Sequence, residues 1–468
     1  MNTPRKWRPD ASNSGRPHYL SDTERDLIRL AQEPGFPRWT EQIKSAGGCA
    51  HPIYLSGRTT TATDTGILIR HYDTANEPGG RLAVRCRNRR ETRCQPCSYL
   101  HAGDTFHLVR SGLIGGKEIP AHVTGHPRLF VTLTAPSFGA VHRTTSGTSR
   151  CRLTRDHSTC EHGQPRQCGL IHASDDPLTG QPLCPDCYDY TSHVLWHAHA
   201  GVLWNRTATA VRRHLASAGG VTQSKLPTLV RLSFAKVAEY QRRGAVHFHA
   251  VIRLDGPQGP ESAPPEWASA ALLTQATRTA VKAVQAPMRH APALGDRVFV
   301  WGSQIDVHTI RRALDGGPVT EEAVAAYVAK YTSKSVSDSG GLDQPVTSAE
   351  EITLAPVSAH LRALMGTCWR LGGLAELEHL RLRPWTHTLG YRGHVLTKSR
   401  KYSTTYRALR DARTAHHQSD SPATAEEIGS VSEWRYVGSG HTPAESEVAA
   451  GVAQDLCDLR EIKRTLRL

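Results

Sequence analysis

The chain has 468 residues, enough for two or three domains, and its 57 Lys+Arg against 43 Asp+Glu give a formal charge of +14. Such an excess favours a polyanionic partner, and nucleic acid is the usual one. A polar start with no apolar stretch, and no run of about 18 apolar residues, argue against secretion and against a membrane partner, so a cytoplasmic location is expected.

In chain order, residues 1–45 read as a polar N-terminal arm. Residues 46–120 form an N-terminal region with short strand-like runs such as Gly66–Arg70 and a first cysteine cluster. Of eleven cysteines, eight lie between Cys86 and Cys187. In a reducing compartment such clustering reads as metal binding rather than disulfides. Cys86 and Cys94-x-x-Cys97 supply three thiolates and Cys49 is available as the fourth, a set that suits tetrahedral zinc.

Residues 128–134, Arg-Leu-Phe-Val-Thr-Leu-Thr, alternate as a strand that Pro136 ends. A second cysteine and histidine cluster fills about 150–190. Its Cys184-x-x-Cys187 knuckle has Cys160, Cys168, His162 and His172 as partners, with Cys151 also available, for one or more further Zn²⁺ ions. Tyr190 to about Ala218 has helical spacing. Residues 228–237 and 245–254 read as two strands joined by a Gln-Arg-Arg-Gly turn. A Gly/Pro loop at 256–265, a helix over roughly 265–286 and a strand at 298–307 follow. Pro318 and Thr320 open a helix with Glu321 and Glu322 in its first turn, where acids suit the dipole. Residues 335–350 are a linker. Residues 351–468 mix helix-like stretches with a polar break at 415–430, and Cys368 and Cys457 read as fillers.

Two His-x-His tripeptides occur, about the number expected by chance, so context must separate them. His197-Ala-His199 has helical surroundings; two residues apart on a helix point to opposite sides, so this pair reads as structural. His247-Phe-His249 lies in a strand-forming stretch, where alternation puts both imidazoles on one face. Neutral imidazoles placed so can hold a divalent ion, and Glu239, across the turn, can add a carboxylate.

Tyr327, Lys330, Tyr331 and Lys334 share one helical face. Two lysines are expensive to bury, whereas phenols among ammonium groups suit a phosphodiester. A free phenol is a poor nucleophile at neutral pH; nearby cations are expected to favour the phenolate. Tyr327 and Tyr331 are both candidate nucleophiles and their order of attack stays open; Tyr331, flanked by both lysines, is preferred as the single essential one. Farther on, Arg381–Arg413 carries nine Lys/Arg and one acid, interleaved with Trp385, Tyr391, Tyr402 and Tyr406. That pattern points to DNA binding, with Lys398, Arg400 and Lys401 as phosphate contacts.

These parts resemble, in order, the three motifs of rolling-circle replication initiators of the HUH endonuclease superfamily. Phe130–Thr134 resembles the first, His247-Phe-His249 the second, and Tyr327-x-x-Lys330 overlapping Tyr331-x-x-Lys334 the two-tyrosine third. Histidines before tyrosines is the initiator order; conjugative relaxases run the other way. The text over about 45–413, including Thr132–Gly139, Pro185–Tyr190, Gln241–His249 and Lys398–Ser403, is similar to initiators of actinomycete plasmids and integrative conjugative elements.

The resemblance implies an α+β fold: a central antiparallel sheet with helices on one side, here a catalytic domain over 121–340 interrupted by zinc-binding insertions, then a basic C-terminal accessory region over 351–468. It implies Mg²⁺ or Mn²⁺ on the histidines, tyrosine attack on origin DNA leaving a 5′-phosphotyrosine link, and a host helicase and DNA polymerase as partners. A two-tyrosine transposase of the same superfamily, or a zinc-dependent DNA-binding regulator without nicking activity, are the alternatives.

Overall fold

The computed structural model describes residues 20–62, 68–147, 149–152, 158–311, 319–334, 336–419 and 429–466. Residues 1–19 of the expected arm, Gly66 and Ile67 of the strand-like run, Pro318 and most of the polar break at 415–430 lie outside them. The chain sorts into two compact units, one of residues 1–88, 93–97 and 423–468, the other of 89–92 and 98–422.

In the first unit, residues read as an arm are helical. Helix α1, Asp22–Gln32, starts with a capping box in which Ser21 and Glu24 satisfy each other's backbone amides. Helix α2, Phe36–Ser45, buries Trp39 and Ile43 against Tyr54, Ala449 and Val452. Apolar residues spaced along an otherwise polar stretch made this amphipathic pair look like an arm. Strand β1, Ile53–Ala62, pairs with β2, Leu68–Asp73, with β3, Leu82–Val84, and with the late strand Gly429–Ser439. Helix Pro443–Thr465 supplies the rest of this core. The expected 351–468 region is therefore divided, because its last strand completes a sheet begun at residue 53.

The second unit holds a five-stranded antiparallel sheet. Its order is Leu396–Lys398, β5 (Arg231–Tyr240), β6 (Val246–Asp255), β4 (Arg128–Leu133), then Ile305–Thr309. The β5–β6 turn needs Gly244, whose φ is +76°, to bring Gln241 back onto Ala245.

Helices cover both faces of this sheet, not one. Helices α4, Tyr190–Ala218, and α5, Ala270–Ala283, pack on Leu129, Val131, Leu133, Phe248, Ala250 and Ile252. Helices α3, Gln95–Ile114, and α6, Glu321–Ser333, cover Ala235, Val237 and Val251 through Leu108, Leu113, Val324 and Val328. The reason lies in β5 and β6, which are apolar on both faces and need cover on both. The α+β class with antiparallel sheets stands. The expected strand at 298–307 is two pieces, Val298–Phe299 and Ile305–Thr309, because Trp301-Gly-Ser-Gln breaks the ladder.

Candidate active site and metal centres

Strand register assembles the first constellation. Glu239 lies opposite His247, Val237 opposite His249, and His249 opposite Thr132 on β4. Opposed residues share a face, so Glu239, both histidines and Thr132 point to the side covered by α6. Helix α6 is capped by Thr320, whose hydroxyl accepts from the Ala323 amide, and it buries Val324, Ala325 and Val328. That packing turns the Tyr327/Tyr331 face toward the histidines.

His249 is the hub. Its Nε2 lies 2.8 Å from a Glu239 carboxylate oxygen and 3.3 Å from the Tyr327 hydroxyl, and its Nδ1 lies 3.1 Å from the Thr132 hydroxyl. Tyr331 stacks on the same imidazole at 5.9 Å between ring centroids, and the two phenol rings are 4.5 Å apart. The ammonium groups of Lys334 and Lys330 lie 5.0 and 5.9 Å from the Tyr331 ring. Lys334 is the residue that ends α6 rather than one inside it.

Electrostatics differ from expectation at the phenols. Burial first, and the Glu239 carboxylate next, push both Tyr327 and Tyr331 above the usual phenol range. The lysines do not outweigh these two effects. Burial, with His249 and Arg243 nearby, pulls His247 down to about 3, so its imidazole is neutral and able to ligate. His247, His249 and Glu239 share one face and offer two nitrogens and a carboxylate, a donor set that suits a divalent ion. They are not gathered as tightly as the three clusters described next.

Arg89 was not foreseen. Its guanidinium donates to the carbonyls of Thr332 at 3.1 Å and Lys334 at 2.6 Å, closing the negative end of the tyrosine helix. Nothing in the sequence separated it from its neighbours Arg87 and Arg90.

Cysteines and histidines form three four-residue groups, each with ligand atoms within 4.8 Å of one another. Cys49, Cys86, Cys94 and Cys97 come together as expected. Amides of Ala50, Cys86 and Asn88 donate to the sulfurs of Cys94, Cys49 and Cys86 at 3.3–3.4 Å. Sulfur crowding drives the thiols apart, Cys86 upward through Cys49 and Cys94 downward through the same neighbour. A cation would favour thiolate at all four.

The second cluster resolves into two sites. One is Cys160, His162, Cys184 and Cys187; the other is His142, Cys151, Cys168 and His172. His142 was missed because it lies outside the 150–190 window. The His172 Nδ1 is 2.7 Å from Asp176, leaving Nε2 toward Cys168 and His142 at 3.3 and 3.1 Å. A carboxylate holding the far nitrogen is the usual support of a ligating histidine.

The His197-Ala-His199 pair is structural: His197 bridges the Leu389 carbonyl and the Val246 amide, and His199 bonds the Leu195 carbonyl. Among the described residues no helix is long and apolar enough to cross a membrane.

The family model described as "Replication initiator protein, pSAM2" matches residues 35–454. This chain belongs to that family. A "Replication initiator protein" from Streptomyces ambofaciens is 44% identical over 452 residues, covering 94% of each chain. No solved structure matches.

The initiator's basic stretch behaves differently from expectation. Tyr391 and Tyr402 are core residues at 3% and 0% exposure, and the Tyr406 hydroxyl bonds Thr105, so only Trp385 of the four rings is substantially exposed. The Lys398 ammonium is spent on the carbonyls of Ser403 and Arg400 within its own loop. Arg400 and Lys401 remain exposed, Lys401 reaching the Gln258 carbonyl. Cationic spacing was a poor guide here because the chain folds its aromatics inward.

Proposed function

We propose that this initiator nicks and rejoins one strand of its origin DNA by tyrosine transesterification, on an HUH-type sheet. The observation that carries the reading is the convergence of Tyr327 and Tyr331 on His249, itself paired with Glu239. Tyr331 Oη attacks the scissile phosphorus, the bond to the 3′ oxygen breaks, and a 5′-phosphotyrosine link forms. The departing 3′ oxygen gains a proton and becomes a primer end for a polymerase. The attacking phenol must lose its proton, and the Glu239 carboxylate, which interacts with the Tyr331 hydroxyl, is an acceptor at hand. Lys330 and Lys334 neutralise the phosphate beside Tyr331.

His247, His249 and Glu239 would hold a Mg²⁺ or Mn²⁺ ion, which when bound makes the phosphorus more electrophilic. The bond energy stays in the phosphotyrosine, so a 3′-hydroxyl can reverse the step without ATP. Tyr327, 4.5 Å away ring to ring, performs the closing cleavage. The family match supports an initiator over a transposase or a non-nicking regulator.

Mass spectrometry of the protein incubated with Mn²⁺ and a single-stranded origin oligonucleotide tests this. A DNA adduct on Tyr331, or on Tyr327 in the Tyr331→Phe variant, is expected. An adduct that survives in the Tyr327→Phe/Tyr331→Phe double variant, or none in the wild type, overturns it.

A further inference from the structure

A cleft of about 590 Å³ opens beside His247. The end of β4 and the β5–β6 turn form two walls, and the turn contributes Arg242 and Arg243. Arg143 and Arg152, from the second metal module, form another. Among the described residues no carboxylate and no Phe, Tyr or Trp lines it; its only rings are the imidazoles of His142, a metal-cluster residue, and His247. Four arginines lining one recess call for a ligand with several negative charges in a row. With one imidazole in a metal cluster, the other beside Glu239 and His249, and no larger ring to stack on bases, the recess suits a sugar-phosphate backbone more than base recognition. Its volume lies in the range of small-ligand clefts and can take a short stretch of one strand's backbone.

Arg143 and Arg152 each directly follow a metal-cluster residue, His142 and Cys151. Arg143 donates from its backbone to the Cys151 sulfur at 3.3 Å and from Nε to the Cys151 carbonyl. Arg152 donates from Nε to the Val141 carbonyl at 2.9 Å, and its backbone pairs with Cys168, another residue of the cluster. The side of the cleft nearest the module is thus tied to the atoms that would hold the ion. Arg243 is fixed separately, on the carbonyls of Ala135 and Pro136.

We propose that this cleft grips the backbone of unpaired DNA next to the scissile phosphate, and that metal at His142, Cys151, Cys168 and His172 sets the grip by positioning Arg143 and Arg152. The placement of the scissile phosphate rests on the nicking reading above; the grip itself does not.

The test uses the full chain carrying Tyr327→Phe/Tyr331→Phe, so that nothing is cut, and a fluorescein-labelled oligo-dT strand whose anisotropy is followed across salt concentrations. Each lost phosphate contact to a single strand lowers the log–log salt slope by about 0.7. Arg143→Gln/Arg152→Gln should therefore lower it by about 1.4, and Arg242→Gln by about 0.7. Arg242 is exposed and its side chain forms no hydrogen bond among the described residues, so its variant is not expected to disturb folding.

His142→Ala/Cys151→Ser should lose metal, measured by mass spectrometry, and reproduce the Arg143/Arg152 loss with no further effect when combined with it. Unchanged slopes in both arginine variants overturn the grip. A normal slope after metal loss overturns the metal's part in it. Covalent adduct formation by the wild type is scored separately: an adduct with unchanged oligo-dT slopes sinks the cleft alone, and reduced slopes without any adduct sink the nicking reading alone.

Discussion

Lys236 offers a quantitative test of the sheet's interior. It sits on β5 on the face under α4, 4% exposed, with its ammonium 3.8 Å from the Phe248 ring centroid and 5.7 Å from that of Trp204. No carboxylate pairs with it among the described residues. Burial pulls it from the usual 10.5 down to about 7. That gap is worth about 5 kcal/mol at most, and the ring faces return about 2 kcal/mol. Lys236→Met keeps the unbranched stem and removes the charge, so a net gain of about 2–3 kcal/mol is expected at neutral pH.

The pH dependence fixes the sign. Between pH 7 and 10.5 the unfolded chain binds the proton and the folded chain does not, so wild-type stability rises with pH in this window. The advantage of the variant is therefore largest at and below pH 7 and fades toward pH 10.5. Urea denaturation of both proteins at matched pH values checks this, because other ionisations, including those of the metal clusters, cancel in the difference. A variant less stable than wild type at pH 7, or a difference that does not change with pH, would refute the reasoning.

Three further outcomes are expected. Purified protein should carry about three zinc equivalents by elemental mass spectrometry, one for each tetrahedral set, and Cys94→Ser should remove one. Arg400→Gln/Lys401→Gln should lower the salt slope for origin duplex by about 0.9 per contact, whereas Lys398→Gln should lower the melting temperature and leave the slope unchanged. Arg89→Ala deletes two charge-assisted bonds to carbonyls, together worth about 2–3 kcal/mol locally; faster amide exchange in the last turn of α6 and a lower adduct yield at unchanged zinc content are expected.

Period and spacing carried the sequence reading where a residue's role depends on its own strand or helix. Tyr190–Ala218 is the helix its spacing described, and the alternation at His247 and His249 did put both rings on one face. The Cys49, Cys86, Cys94 and Cys97 set followed from knuckle spacing. What escaped depends on contacts between distant segments. His142 joins its cluster through a loop closure that no local pattern encodes, and Arg89 caps a helix far along the chain. Lys398 and Tyr402 looked like surface chemistry because composition cannot say which way a side chain turns. The phenol environment needed coordinates as well: burial and the Glu239 carboxylate raise Tyr331, where the neighbouring lysines led one to expect a lowering.

The Thr132 hydroxyl against His249 Nδ1 carries one last consequence. An imidazole that gives its Nε2 proton to Glu239 asks its other neighbour for a donor; one that lends the Nε2 lone pair to an ion asks for an acceptor. A hydroxyl answers both requests by rotating, with no atom of the backbone displaced. Serine at 132 would keep that two-way valve, and valine, of the same shape, would jam it in both directions.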